Sequence, residues 1–154
     1  MKSTILVMKD HGRLACRVAS LFVALRPADW IKNVFVGAPL FFSGQATDFG
    51  KVSLTGIVVL AFCAMSSAVY LLNDICDRKR DRLHPTKCLR PIASGTLAVE
   101  VAGTAILVLA IVSFGLASFS WKVVGVLGCY GLINIAYTLW MKQLVVVDVM
   151  SIAL

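Results

Sequence analysis

Three long apolar runs without a charged residue dominate the hydrophobic pattern of the chain. Residues 52–73, 101–121 and 123–141 contain no Lys, Arg, Asp or Glu over 22, 21 and 19 consecutive positions. An α-helix needs about 20 mostly apolar residues to cross the hydrocarbon layer of a bilayer. Each of the three runs therefore predicts one membrane-spanning helix.

Two shorter runs predict less complete spans. Residues 30–47 contain Pro39 and are uncharged only from Asn33, so they form a first span if Lys32 extends its ammonium group to the interface. Residues 143–154 predict the start of a fifth span, with a re-entrant or interfacial tail as the alternative. A chain that ends inside hydrocarbon leaves backbone carbonyls without partners, so we expect this sequence to be a fragment.

The segment before the first span, residues 1–26, predicts an interfacial N-terminal region. Its apolar patch at residues 18–25 lies between Arg17 and Arg26. Eight residues are too few to cross a bilayer, and they suit a helix that lies in the membrane surface. Together these elements predict an all-α fold, a polytopic transmembrane helical bundle whose membrane domain covers residues 27–154.

The composition agrees with a membrane protein and excludes several other classes. Hydrophobic residues make up 59% of the chain and charged residues only 15%, against about 25% charged in an average globular protein. Disordered, collagen-like, coiled-coil and nucleic-acid-binding chains all need more polar, charged or repeating positions. The five cysteines form no C-x-x-C pair, and their odd number argues against a closed disulfide framework.

The basic residues predict the orientation of the chain. Thirteen of the 15 Lys and Arg lie in residues 1–32, in residues 74–100 or just after residue 141, and only Lys51 and Lys122 lie in the opposite connections. Lys and Arg are retained on the cytoplasmic side of a membrane. We therefore expect a multi-pass protein of the plasma membrane whose N-terminus and 74–100 loop face the cytoplasm.

The candidate chemistry lies where the second predicted span ends. Asn73, Asp74, Asp77 and Asp81 follow the apolar run, and in a continuing helix positions 74, 77 and 81 fall on one face. Converging carboxylates repel each other unless a hard cation neutralises them. Mg²⁺ is held in this way, by one or two carboxylates together with phosphate oxygens, so the spacing predicts a Mg²⁺–diphosphate site.

The cations that follow can serve the same site. Lys87 and Arg90 come soon after the acidic residues, and Pro85 and Pro91 break the helix, so both side chains can fold back towards bound phosphate. The alternative is a solvated helix end on which Asp77 and Asp81 pair with neighbouring arginines, namely Arg78, Arg80 and Arg82.

These motifs resemble the UbiA superfamily of intramembrane prenyltransferases. The spacing of Asn73, Asp74, Asp77 and Asp81 is similar to the first aspartate motif of that superfamily. LRPxxWxKN at residues 25–33 and HPTKxxRPIASG at residues 84–95 are most similar to its decaprenyl-phosphate phosphoribosyltransferase branch. The family has nine helices and a second aspartate motif, so the resemblance implies that this chain covers the N-terminal half, about four and a half helices.

The resemblance also implies roles for individual residues. Asp74, Asp77 and Asp81, with Asn73 as a neutral oxygen ligand, would hold Mg²⁺ against the diphosphate of the donor. Other residues would bind substrate, with lipid-interface roles as the alternative for several of them; they are Lys32, Asn33, Lys87, Arg90, Tyr137 and Lys142.

The implied reaction is transfer of 5-phosphoribosyl from phosphoribosyl diphosphate to a polyprenyl (decaprenyl) phosphate, with release of diphosphate. An aromatic prenyltransferase with a prenyl diphosphate donor is the alternative, and an inactive fragment or non-catalytic membrane protein is a second one. The expected partners are therefore the two substrates and membrane lipids, without nucleic acid. The sequence does not indicate an oligomeric state.

Overall fold

The structure is a computed structural model that describes residues 16–141, with side chains through residue 139. Every regular element in this range is helical, which confirms the all-α prediction. The α-helices are α1 (residues 16–24), α2 (Ala38–Phe42), α3 (Phe49–Asp81), α4 (Pro91–Ser94), α5 (Val99–Ala117) and α6 (Trp121–Ala136). Two 3-10 helices, Pro27–Gly37 and Lys87–Leu89, and a π-helical turn, Tyr137–Met141, complete the chain order.

Three of these helices are long and apolar enough to cross a membrane. They are Phe49–Asp81, Val99–Ala117 and Trp121–Leu139, with mean hydropathies of 2.1, 2.2 and 1.4 over their most apolar 18-residue windows. Each of them overlaps one of the three uncharged runs. The partial span predicted at residues 143–154 lies outside the described residues.

Helix α3 extends beyond its apolar run at both ends. Its 33 residues correspond to about 50 Å at 1.5 Å per residue, whereas the hydrocarbon layer is about 30 Å thick. The first eight residues of the predicted 74–100 loop, including the acidic motif, are therefore the last two turns of this helix. The chain leaves the helix at Arg82, shortly before Pro85.

The first predicted span differs from the structure. Instead of one helix over residues 30–47, the chain forms the 3-10 helix Pro27–Gly37, the five-residue helix α2 and a turn before α3. Pro27 and Pro39 each lie at the start of one of these helices, as expected for a residue that lacks an N–H donor. The segment is not among the three apolar helices long enough to cross a membrane in residues 16–141.

Helices α3 and α5 pack side by side in antiparallel directions. One buried cluster contains Leu71 of α3 and Ala102 of α5, and a second contains Ala61 of α3 and Ala117 of α5. The first cluster also includes Ala24 of α1, Ile92 of α4 and Leu97. It therefore fixes α1 and the α4 loop against the end of α3 that carries the acidic motif.

Candidate functional site

Two carboxylates of the acidic motif are buried at the end of α3. Asp74 and Asp81 are each only 2% exposed. They are seven residues apart, which is close to two helical turns, so they lie on the same face of α3. The predicted continuation of the helix through residue 81 is confirmed.

Arg90 connects these two carboxylates. Its Nη1 atom donates to Asp74 Oδ1 at 3.2 Å and to Asp81 Oδ2 at 2.8 Å. Arg90 has an extended backbone before Pro91, the first residue of α4, and Ile92 anchors that helix with no exposed surface. The structure thus brings Arg90 back to the acidic motif, as the two prolines predicted.

Arg26 is the second cation of the site, and we did not select it from the sequence as a site residue. Its Nη2 atom donates to Asp74 Oδ1 at 2.7 Å, and its guanidinium carbon lies 5.0 Å from the ring centroid of Tyr70. The sequence feature that could have identified Arg26 as a site residue is its position in the LRPxxWxKN motif, directly before Pro27.

Arg26, Arg90 and Asp74 line a cleft of about 290 Å³. Both arginine side chains are 27% exposed, whereas both aspartate side chains are 3% exposed. The guanidinium groups can therefore donate to an anion that enters the cleft while the carboxylates hold them from behind. The remaining lining residues are Val23, Ala24, Thr86, Leu89 and Pro91.

The acidic motif suits Mg²⁺ in its donor chemistry. Mg²⁺ takes oxygen ligands, and often only one or two of them are protein carboxylates; Asp74 and Asp81 supply such oxygens, with half-buried Asp77 between them on the helix. Within residues 16–139, however, no three His, Cys, Asp or Glu side chains lie close enough to hold a metal. In this conformation Asp74 and Asp81 converge on Arg90 instead.

A further basic side chain on the same helix has an unused donor. The Nε atom of Arg78 is buried and has no hydrogen-bond partner. Arg78 lies four residues after Asp74, on the same side of α3. Buried donors are nearly always satisfied in proteins, so a bound anion or water suits this position. Arg82 is engaged elsewhere, because its Nε donates to the Ala93 carbonyl at 3.0 Å.

The two substrate-binding candidates in the 3-10 helix Pro27–Gly37 do not line this cleft. Lys32 is paired with Asp29 at 2.8 Å and its side chain is 69% exposed. Asn33 donates to Ser66 Oγ at 3.1 Å and to Cys63 Sγ at 3.4 Å, so it fastens this helix to α3.

The remaining candidate residues lie on other elements of the structure or outside the described residues. Lys87 begins the short 3-10 helix, and its neighbour Thr86 lines the cleft whereas Lys87 does not. Tyr137 lies after α6 and is half exposed. Lys142 lies outside the described residues, and Asn73 and Asp77 make contacts of their own near the end of α3.

Comparison with known proteins agrees with the sequence motifs. The model of the UbiA prenyltransferase family matches residues 33–154. The decaprenyl-phosphate phosphoribosyltransferase of Corynebacterium glutamicum is 37% identical over 132 residues, which are 82% of this chain and 40% of that protein. The enzyme of the same name in Mycobacterium tuberculosis is 37% identical over 137 residues, 86% of this chain and 45% of that protein.

A more distant relative carries a different name. The protoheme IX farnesyltransferase of Leptospira biflexa is 30% identical over 99 residues, 62% of this chain and 35% of that protein. The chain thus spans less than half the length of these curated relatives. Since the family model covers most of the sequence and the structure has three helices long and apolar enough to cross a membrane, the chain belongs to the UbiA prenyltransferase family and is an integral membrane protein.

Proposed function

We propose that this chain provides the diphosphate-binding half of a membrane-embedded transferase. The enzyme would move a 5-phosphoribosyl group from phosphoribosyl diphosphate to a polyprenyl phosphate and release diphosphate. The observation that carries this proposal is the cleft at the end of α3, where Arg26 and Arg90 meet the buried carboxylate of Asp74.

The charges in the cleft suit a diphosphate together with a divalent cation. The net charge of the site is zero, because its two arginines, Arg26 and Arg90, balance its two aspartates, Asp74 and Asp81. The side chains alone therefore do not neutralise the negative charge of a bound diphosphate. Asp74, Asp77 and Asp81, with Asn73, would hold Mg²⁺, which as a Lewis acid stabilises the negative charge on the departing diphosphate. The forked guanidinium groups of Arg26 and Arg90 match phosphate oxygens and orient the donor.

The location of the cleft suits a lipid acceptor. Helix α3 carries the acidic motif beyond its most apolar part, at the end where the basic residues predict the cytoplasm. A polyprenyl phosphate would lie with its chain among the apolar helices and its phosphate at this level. Because that phosphate is already an anion, attack on the sugar does not require a strong general base, and we assign none.

The relatives favour a phosphoribosyl donor over a prenyl donor. The two phosphoribosyltransferases cover more of this chain, at higher identity, than the farnesyltransferase does. The farnesyltransferase nevertheless makes transfer from a prenyl diphosphate the second candidate, because the same cleft would bind the diphosphate of either donor.

The test compares the two donors in membranes that contain the complete transferase to which this chain contributes. One arm supplies Mg²⁺, ribose-labelled phosphoribosyl diphosphate and decaprenyl phosphate; the other supplies Mg²⁺, labelled farnesyl diphosphate and protoheme or a phenolic acid. We expect ribose label in the lipid fraction of the first arm. Product only in the second arm would replace our proposal with prenyl transfer, and product in neither arm would overturn both.

The carboxylates are tested with a matched pair of variants. The double variant Asp74→Asn and Asp77→Asn is expected to abolish product formation, because it removes the charge that holds the metal. Asp48→Asn changes another carboxylate of the same kind at the opposite end of α3 and keeps its capping oxygen, so it is expected to retain activity. Equal activity in wild type, the double variant and Asp48→Asn would show that the acidic motif takes no part in the reaction.

A further inference from the structure

A single buried hydroxyl holds the chain on both sides of Arg26. Ser67 of α3 has no exposed surface. Its Oγ atom accepts a hydrogen bond from Trp30 Nε1 at 2.9 Å and donates one to the Leu25 carbonyl at 2.9 Å. Leu25 directly precedes Arg26 after the end of α1, and Trp30 lies in the first part of the 3-10 helix that begins at Pro27. The hydroxyl therefore joins both the residue before Arg26 and the 3-10 helix after it to α3.

The turn at Arg26 needs such support because its backbone is strained. Arg26 has φ 53° and ψ 60°, and among the described residues it is the only one other than glycine with a positive φ. A side chain with a β-carbon is disfavoured in this left-handed region, and such residues persist where the surrounding structure holds them. Two backbone hydrogen bonds hold Arg26, from its own N–H to the Val23 carbonyl and from the Asp29 N–H to its carbonyl. The Ser67 hydroxyl and the contacts of the guanidinium group add to them.

The contacts of Arg26 come from the same face of α3. Ser67, Tyr70 and Asp74 follow one another at intervals of three and four residues, so their side chains form one row. Ser67 binds the backbone of the turn, Tyr70 packs against the guanidinium group, and Asp74 accepts its hydrogen bond at 2.7 Å. The row fixes both the backbone and the direction of the Arg26 side chain.

We propose that Ser67 and Trp30 are positioning residues for diphosphate binding: their hydrogen bond and that to Leu25 hold the turn that directs Arg26 into the cleft. The proposal rests on the proposed function, since it takes Arg26 as a donor to the diphosphate group. Neither Ser67 nor Trp30 lines the cleft, so both act through Arg26.

The test measures binding of inorganic diphosphate in the presence of Mg²⁺ to the protein in lipid nanodiscs, by calorimetry. Ser67→Ala removes both hydrogen bonds, and Trp30→Phe removes only the indole donor and keeps an aromatic ring. We expect Ser67→Ala to raise the dissociation constant by about tenfold, because small displacements of a binding group cost affinity steeply. Trp30→Phe is expected to have a smaller effect in the same direction.

Ser113→Ala is the matched control for the loss of a buried hydroxyl. Ser113 is also fully buried, and its Oγ donates to the Ala61 carbonyl of α3 at 2.7 Å, near the second cluster and away from the cleft. We expect it to lower thermal stability while leaving the dissociation constant unchanged. If Ser67→Ala and Ser113→Ala weaken binding equally, the effect is general destabilisation and the positioning role is wrong.

A double-mutant cycle separates positioning from direct packing. In an Arg26→Ala background there is no guanidinium group to position, so adding Ser67→Ala is expected to cause no further loss of affinity. An additive loss in that background would overturn the positioning role.

Arg26→Ala alone keeps this proposal separate from the function on which it rests. If Arg26→Ala weakens diphosphate binding and Ser67→Ala does not, the positioning role fails while the proposed function survives. If Arg26→Ala leaves diphosphate binding unchanged, Arg26 is not a donor to diphosphate. The positioning role of Ser67 and Trp30 is then wrong, and so is the role of Arg26 in the proposed function.

Discussion

Arg26 and Asp74 form an ion pair at 2.7 Å although 48 positions separate them in the sequence. The pair joins the turn after α1 to the motif helix α3. Asp74 Oδ1 also accepts from Arg90, at 3.2 Å. One buried carboxylate oxygen therefore connects three separate parts of the chain, which makes Asp74 the central residue of the site.

Replacing Asp74 is expected to destabilise the fold as well as the site. In Asp74→Asn, Arg26 loses the carboxylate with which it pairs, Arg90 keeps only Asp81, and the amide is a weaker acceptor. We expect the free energy of unfolding to fall by about 1–3 kcal/mol, less than for a fully buried pair because both arginines are partly exposed. Thermal unfolding in detergent measures this change.

Glu100→Gln is the control for that measurement. Glu100 is an exposed carboxylate in the first turn of α5, and its replacement is expected to change stability by no more than about 0.5 kcal/mol. Equal unfolding temperatures for Asp74→Asn and wild type would show that the buried pairs make no net contribution to stability.

Replacement of Arg90 by lysine is expected to lower both the stability of the protein and its affinity for diphosphate. Its Nη1 atom bridges Asp74 and Asp81, whereas a lysine ammonium is a single charge without the planar fork of a guanidinium group. Arg90→Ala should destabilise the protein by about 1–3 kcal/mol, and Arg90→Lys by an intermediate amount. Both should bind inorganic diphosphate more weakly than wild type, as measured by calorimetry.

Lys79→Ala controls for the general loss of a basic residue. Lys79 is exposed near the end of α3, and its replacement should leave both measurements nearly unchanged. If Arg90→Lys matches wild type in stability and affinity, the bridge between the two carboxylates does not depend on guanidinium geometry.

Removal of the metal should weaken diphosphate binding. Chelation with EDTA leaves Arg26 and Arg90 as the main groups that attract the anion, so we expect the dissociation constant of inorganic diphosphate to rise by more than about tenfold. In Asp77→Asn the difference between Mg²⁺ and EDTA should shrink, because a charged ligand of the metal is missing. Titrations with and without Mg²⁺ measure both effects.

The two parts of the site can then be told apart. Equal affinity for diphosphate with Mg²⁺ and with EDTA would show that the metal does not contribute to binding. The arginine cleft would then remain as the diphosphate site. A Mg²⁺ effect of equal size in wild type and Asp77→Asn would exclude Asp77 as a ligand.

Local sequence patterns predicted the parts of this fold that depend on local interactions. The uncharged run at residues 52–73 predicted α3, and the spacing of Asp74 and Asp81 placed both on one face once the helix continued. Pro91 indicated that the chain turns before α4, which brings Arg90 back to α3. Each of these predictions depends on helix periodicity or on the missing donor of proline, which a sequence displays directly.

The parts that the sequence did not predict depend on contacts between distant residues. The role of Arg26 follows from a left-handed turn and a carboxylate 48 positions away, and neither appears in the hydropathy pattern. The motif predicts substrate binding for Asn33, and the hydropathy pattern does not indicate that its amide donates to Ser66 of α3. The position of a polar residue in a motif does not distinguish a ligand contact from a packing contact.

The start of α3 provides a prediction of pH dependence. Asp48 is the N-cap, and its carboxylate accepts from the backbone N–H groups of Gly50 at 3.0 Å and Lys51 at 3.3 Å. Chiefly because of the hydrogen bond from the Lys51 backbone, the pKa of Asp48 is below its ordinary value. A lowered pKa in the folded state means that the ionised form stabilises the fold. This contribution is complete above the ordinary carboxyl pKa and disappears as the pH falls through the lower folded value.

Asp48→Asn isolates this charge, because asparagine caps a helix through a neutral oxygen. At pH 7 we expect the variant to unfold at a lower temperature than wild type, and the difference to be smaller at about pH 3, which lies below the ordinary carboxyl pKa. Asp48→Ala lacks the cap altogether, so it should remain less stable than wild type at both pH values. A gap between wild type and Asp48→Asn that stays constant from pH 7 to pH 3 would show that the ionised carboxylate does not act through its charge.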